Sequence, residues 1–254
     1  MADLAQKAAM AKPTQFHHFL RCLHDQGKLL HVYSQNIDYL ELKVGLSMTL
    51  DDQNSGAPPT CIPLHRTLEH LKCDHCGSVF ALEAYYTVLK AGEFPECGRC
   101  QERIMNRVED GKRSTSFPQI RPNVILYGQE HPQGEHIAKI QNQDLRRTDL
   151  LLVVGTSLQI RGITEFIGRF AKMSPHNSAD SKLHSSSPRL IYLNNGFSNP
   201  AKWVGRFDMW IKCDCQEFAR LGLEEMKEGE STSSYSKQRL DLRPSWRWWS
   251  HELG

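Results

Sequence analysis

Four cysteines stand in two C-x-x-C pairs, Cys73 with Cys76 and Cys97 with Cys100, with twenty residues between the pairs. Each pair can curl its sulfurs toward one point, Gly77 and Gly98 ease the turns, and four thiolates complete the closed tetrahedral shell that Zn²⁺ prefers. A closed shell leaves no position for substrate, so the expected zinc is structural. His75 lies inside the first pair, where a fifth ligand is unnecessary. The other chemistry-bearing residues are polar clusters that follow apolar runs: Gln35-Asn36-Ile37-Asp38, Gly155-Thr156-Ser157 and Asn194-Asn195. A Gly-Thr-Ser turn leading into a helix offers backbone N–H groups, hydroxyls and a helix N-terminus to a phosphate. The Gln-Asn-x-Asp cluster fits a ligand site beyond a strand end, and equally an Asx turn that ends the strand. His65, eight residues before Cys73, titrates near neutrality and suits general-base work, although a lone histidine is more often a packed or surface residue.

Such residues must be held at strand ends. The run Leu29 to Tyr33 reads as a short buried strand, and Asn123 to Tyr127, Asp149 to Val154 and the segment PRLIYLNN read as three more. Ile160, Ile163, Phe166, Ile167 and Phe170 recur at helical spacing, predicting a helix after Ser157. Strand, helix, strand is the order of a doubly wound parallel sheet, whose ligands sit beyond the carboxyl ends of the strands, so the three polar clusters are expected to line one crevice. Leu4 to Leu23 reads as helical around a break at Pro13, with Thr14 as a cap. Ser47 to Pro63 is rich in turn signals and is expected to be a loop. From Met226 the chain turns polar and reads as a disordered tail carrying Trp246, Trp248 and Trp249.

The chain has 254 residues, 39% of them hydrophobic, enough for a proper core. A formal charge of +2 gives no strong pull toward nucleic acid, so no direct nucleic-acid partner is expected. No apolar stretch reaches the roughly 18 residues of a membrane span, and Met1 to Lys12 lacks the apolar core of a secretory signal. A soluble intracellular protein without a membrane partner is the expectation. The eight cysteines, four of them paired by spacing, fit metal ligation in a reducing compartment, cytosol or nucleus.

Taken in order, the motifs PTQFH, QNID, the LH before the first cysteine pair, the second pair, RPNVILYG, GTSL, LIYLNN and CDCQEF resemble a sirtuin, an NAD-dependent protein-lysine deacylase. The resemblance runs from about Pro13 to Leu223 and looks most like the fungal nuclear branch that acts on histones. It implies an α/β fold: an incomplete Rossmann-like parallel-sheet domain over residues 1–60 and 120–225, a small zinc-binding module over 61–119, and a tail over 226–254. It implies NAD⁺ as cosubstrate beside structural Zn²⁺, acetylated protein lysine as substrate, histone tails among them, and a location in the nucleus, with cytoplasm as the alternative. Residue by residue, it implies that Gln35, Asn36 and Asp38 line the nicotinamide and ribose part of the site and that Gly155, Thr156 and Ser157 lie around the phosphates. Asn194, with Asn195 as the substitute, is implied near the adenosine ribose, and Cys215 beside adenine. His65 falls on the catalytic base, and Ile125, Leu126 and Tyr127 on the wall of the acyl-lysine channel. In the implied reaction the acyl oxygen attacks the ribose C1′ as nicotinamide leaves, and His65 deprotonates a ribose hydroxyl that attacks the resulting imidate. Free lysine and O-acyl-ADP-ribose are the products.

The resemblance also has breaks. The family's GAG-x-S segment and its Asp-Phe-Arg stretch are not found in these residues, and none of the seventeen glycines forms a G-x-G. A sheet lacking that strand is expected, and with it weak NAD binding by residues 1–254 taken alone, because backbone N–H groups of a glycine loop normally meet the pyrophosphate. Tyr39 and Arg66 stand where the family has glycine, and are expected to add bulk near the ligand path. Gln129 and Cys213 replace a usual glutamate and glycine. The alternative function is a catalytically inactive, zinc-stabilised interaction protein.

Overall fold

Pro13 has no N–H to donate and restricts Lys12 to extended backbone, so the first helix ends before it and a second begins after it. In the computed structural model, which describes residues 1–48, 58–113, 117–126, 128–173, 189–197, 200–203 and 205–231, these are α1 (Ala2–Met10) and α2 (Gln15–Asp25). Thr14 caps α2 through His17, whose Nδ1 accepts from the Thr14 N–H at 3.2 Å and lies 2.8 Å from Thr14 Oγ1. The chain continues as β1 (Val32–Ser34), α3 (Leu40–Lys43), β2 (Cys61–Pro63), β3 (Arg66–Cys73), β4 (Val79–Ala81), a 3₁₀ turn (Leu82–Tyr85), α4 (Tyr86–Lys90), α5 (Gly98–Glu109) and β5 (Ile120–Val124). It ends with α6 (Gly134–Arg147), β6 (Leu151–Val154), α7 (Arg161–Met173), β7 (Leu190–Leu193), α8 (Pro200–Trp203), β8 (Met209–Ile211) and α9 (Cys215–Ser231). Tyr127, residues 49–57 of the turn-rich loop and the tryptophans of the tail lie outside the described residues. Among those residues no helix is long and apolar enough to cross a membrane.

Two compact units result, Met1–Pro13 with His31–Glu135, and Thr14–Leu30 with the chain from His136. The first holds a parallel pair, β1 with β2 in register Val32↔Cys61, and an antiparallel sheet ordered β4-β3-β5. Its core is Leu68, Leu71, Leu82, Ile120 and Ala5 packed with Cys73, Cys97 and Cys100. The second holds the parallel sheet β6-β7-β8 with β7 in the middle. Its core joins Leu190 and Tyr192 of that strand to Ile167 and Phe170 of α7 and to Trp203. The α/β class with parallel sheets and a cysteine-rich module is therefore the observed one.

Several elements differ from the sequence reading. β1 begins at Val32 rather than Leu29, because the N–H groups of Lys28 and Leu29 turn back to Leu23 O at 2.8 and 3.2 Å and close the end of α2. β5 is antiparallel to β3, from Cys73↔Ile120 to Arg66↔Val124, so the expected strand at Asn123 starts earlier and belongs to the cysteine module's sheet rather than to a parallel one. The boundaries of the units also differ from the expected division at residues 60 and 120: Ile37 and Tyr39 pack on the cysteine core and keep the Gln-Asn-Ile-Asp segment with it. α9 carries on through Ser231, so residues 226–231 are helical rather than part of a tail.

In the second unit α2 lies along α9, with the Phe16 N–H donating to Gln216 Oε1 at 3.0 Å and Cys22 Sγ 3.5 Å from Met226 Sδ. Gly222 permits the approach, since a Cβ there would sit 2.7 Å from Phe19 Cε2, and Phe19 is buried. Gly222→Ala would gain about 1 kcal/mol of helix propensity and lose roughly 1–3 kcal/mol by overpacking. The expected result is a lower thermal midpoint, recovered by adding Phe19→Leu. A midpoint raised by Gly222→Ala would show that the helices can part without loss.

Candidate functional site

The cysteine pairs converge. β3 delivers Cys73 at its end, the turn at Gly77 (φ +72) brings Cys76 back, and α5 carries Cys97 as its N-cap and Cys100 in its first turn. All four sulfurs lie within 4.8 Å of one another, with Cys73 to Cys100 at 3.8 Å and Cys76 to Cys97 at 3.6 Å. Tetrahedral zinc with Zn–S near 2.3 Å needs sulfurs about 3.8 Å apart, so the donor set fits the metal. The Ser78 hydroxyl, 3.1 Å from Cys76 Sγ, together with the Ser78 N–H, favours the thiolate and brings Cys76 down to about 6. Burial pushes Cys97 up and Cys100 up to about 12. Metal binding at neutral pH must therefore expel protons from buried thiols, and affinity falls as pH falls.

The second group grows from the parallel pairing of β1 and β2. Parallel strands end on the same edge, and the Leu64 N–H extends their ladder to Ser34 O at 2.8 Å. Gln35 and His65 are thus the first residues free of the ladder, and His65 Nδ1 meets Gln35 O at 2.9 Å. A carbonyl can only accept, so Nδ1 carries a proton, and in the neutral ring the lone pair is on Nε2. Ile125 donates its N–H to His65 O at 3.0 Å and so adjoins the histidine, whereas Leu126 is 58% exposed. Asn36 is exposed, and Asp38 is half-buried with Oδ1 accepting from the Leu40 N–H at 3.3 Å, so the Asx turn and a polar strand end are both present.

Lys43, which nothing in the sequence singles out, fastens this segment. Its ammonium donates to Ala8 O and Ala9 O at 2.7 Å and to Ala11 O at 2.8 Å, closing the carboxyl end of α1, and lies 5.1 Å from the Tyr39 ring centroid.

The third group lies in the second unit. Gly155 follows β6 with φ +62, its N–H donates to Leu193 O at 3.1 Å, and a Cβ on it would meet open space. Thr156 Oγ1 accepts from the Leu158 N–H at 3.2 Å, and Ser157 is exposed. The helix expected directly after Ser157 begins at Arg161, because Leu158 at φ +57 turns the chain first. The turn therefore presents its own N–H groups and hydroxyls, apart from the end of α7. Asn194 meets Thr156 O through Nδ2 at 3.3 Å, while Asn195 is exposed. Cys215 is the first residue of α9, just past β8, with its sulfur 3.5 Å from Gln216 Nε2.

The sequence model of the Sir2 family matches residues 2–162. The chain belongs to the Sir2 family. It is similar to the NAD-dependent histone deacetylase HST3 of Candida albicans, with 33% identity over 233 residues covering 87% of this chain and 46% of that protein. It is also similar to the NAD-dependent histone deacetylase HST4 of Saccharomyces cerevisiae, with 32% identity over 235 residues covering 87% of this chain and 60% of that one. The chain thus spans roughly half the length of the curated relatives it matches. A solved structure of Sir2 with p53 peptide and NAD⁺ superposes with a TM-score of 0.63 at 22% identity, over 87% of this chain and 73% of that chain, a likeness of fold.

Against the Sir2 pattern, the two replaced glycines have a structural reading. Tyr39 has φ 50 and Arg66 has φ 56, the left-handed region that glycine adopts freely and other residues at about 1–2 kcal/mol. The Tyr39 ring packs into the cysteine core and Arg66 donates from Nη1 to Asn123 Oδ1 at 3.2 Å. Both side chains thus make contacts within the module.

The cysteine geometry sets the prediction for this site. Native mass spectrometry of the purified protein should find one zinc per chain, and Cys97→Ser should remove it and lower the melting midpoint. Metal-free protein that melts with the zinc-loaded protein would refute a structural role.

Proposed function

We propose that the protein is an NAD-dependent protein-lysine deacetylase that transfers the acyl group to ADP-ribose, acting on acetylated lysines of histone tails in the nucleus. The observation that carries this reading is the tie from His65 Nδ1 to Gln35 O, which in the neutral ring makes Nε2 the acceptor at a strand end. A base for a ribose hydroxyl needs that lone pair, held at a fixed direction and near neutral pH. Supporting it are the Sir2 family match and relatives whose names state histone deacetylase activity.

The roles follow the chemistry of the groups. NAD⁺ supplies the ribose acceptor and the nicotinamide leaving group. Gln35, Asn36 and Asp38 offer carboxamides and a carboxylate to the nicotinamide and ribose part; Gly155, Thr156 and Ser157 offer N–H groups and hydroxyls to phosphate and ribose oxygens. Asn194 or Asn195, with Cys215, serves the adenosine part. His65 takes a proton on Nε2 from the ribose hydroxyl and is neutral again once the proton is released to water. Zinc at Cys73, Cys76, Cys97 and Cys100 holds the module and takes no part in the reaction.

With an acetylated histone peptide and NAD⁺ in large excess, the purified protein should release nicotinamide and free lysine in equal amounts, at a rate held low by the weak NAD⁺ binding expected of residues 1–254 alone. His65→Ala should lower that rate at least about 100-fold, the usual span of general-base catalysis, with zinc content unchanged. Unaltered turnover in His65→Ala would overturn the assignment of the base, and no NAD-dependent release by the parent protein would overturn the reading itself.

A further inference from the structure

We propose that Tyr192 is a positioning residue for cofactor binding: its hydroxyl ties the turn after β6 to the turn after β7 and sets both cofactor-facing segments at once. The inference rests on the reading of the protein as NAD-dependent. Tyr192 lies on the central strand β7 and is fully buried. Its ring is in an aromatic layer, 4.8 Å from Phe197 and 5.2 Å from Phe207 between centroids, with Phe197 a further 5.3 Å from Trp210. A phenol in such surroundings must find polar partners or lose the free energy of its hydration.

The partners it finds are those of the candidate site. The hydroxyl donates to Thr156 O at 2.7 Å and accepts from Asn194 Nδ2 at 2.6 Å. Asn194 Nδ2 also lies 3.3 Å from Thr156 O, and Asn194 Oδ1 accepts from the Asn195 N–H at 3.1 Å. Trp210 Nε1 donates to Asn194 O at 3.2 Å from the neighbouring strand β8. The Tyr192 oxygen is thus the short link between Thr156 and Asn194, with the longer Asn194 Nδ2 contact to Thr156 O beside it. With the Thr156 carbonyl fixed inward, the peptide plane it shares with Ser157 is fixed too, so the Ser157 N–H keeps one direction. That N–H is one of the groups offered to phosphate. Pre-orienting it lowers the ordering loss on binding, which is how a buried residue that touches no ligand raises affinity.

Tyr192→Phe keeps the ring and removes the tie. The expected result is a KM for NAD⁺ and a calorimetric Kd for ADP-ribose raised about tenfold, the loss of one or two buried hydrogen bonds, with kcat at saturating NAD⁺ and the KM for acetylated peptide unchanged. Phe197→Leu, which loosens the aromatic layer and leaves the hydroxyl in place, should lower the melting midpoint without moving the KM for NAD⁺. Parental ADP-ribose affinity in Tyr192→Phe, or an equal KM shift in Phe197→Leu, would overturn the inference. A parent protein that binds no ADP-ribose would instead overturn the functional reading beneath it.

Discussion

Convergence of four sulfurs within 4.8 Å is the constraint on which the first unit depends. Three of these cysteines are also core residues, at 0%, 0% and 2% exposure for Cys73, Cys97 and Cys100, so the metal centre and the hydrophobic core are one object. A module of two short hairpin strands, a longer strand and three small helical pieces has little apolar surface to bury, and metal ligation supplies the cross-links that a larger core would otherwise replace. Ile37 and Tyr39 lean on the same core, so the polar segment Gln35 to Asp38 takes its position from a structure assembled around zinc. Structural metal and candidate cofactor site are distinct in chemistry yet mechanically joined within this unit.

Strain is held where that joint is made. Tyr39 and Arg66 flank the two chemically important strand ends, one after Asp38 and the other after His65, and both adopt left-handed backbone. Each is stabilised by a cationic contact, the Lys43 ammonium against the Tyr39 ring and the Arg66 guanidinium against Asn123. Lys43 then carries the connection to the end of α1 through three short hydrogen bonds. A conformation that glycine would reach by freedom is reached here by packing, and the backbone direction through Asp38 and His65 is fixed in the process.

The second unit positions its candidate groups through buried hydrogen bonds. Its parallel sheet places Gly155 and Asn194 at the ends of adjacent strands, and a buried phenol beneath them satisfies the polar groups that the turn would otherwise expose. In both units the residues proposed to meet cofactor are small or polar, and the residues that orient them are large and bonded to the protein itself. Such an arrangement separates affinity from stability: the exposed groups contribute little to folding and are free to serve a ligand.

Much of this was legible in the sequence because it depends on local rules. Paired cysteine spacing declared the zinc site, Pro13 and Thr14 declared the helix break, and motif order declared the family, which the match over residues 2–162 bears out. Other features depend on groups far apart in the chain. Residue Asn123 belongs to the antiparallel sheet of the module because β5 pairs with β3, a partner no hydrophobic run can name. His65 acquires a defined tautomer from the carbonyl of Gln35, thirty residues earlier. Tyr192 reads in sequence as one more apolar strand residue, and only the neighbouring strand shows that its hydroxyl has Thr156 and Asn194 within reach. Sequence by itself determined which groups are present and which local turns they favour, since spacing and side-chain chemistry act over a few residues. Tertiary structure decided which of them meet, because hydrogen bonds and burial act across distance in space, and the chain encodes that distance only through its fold.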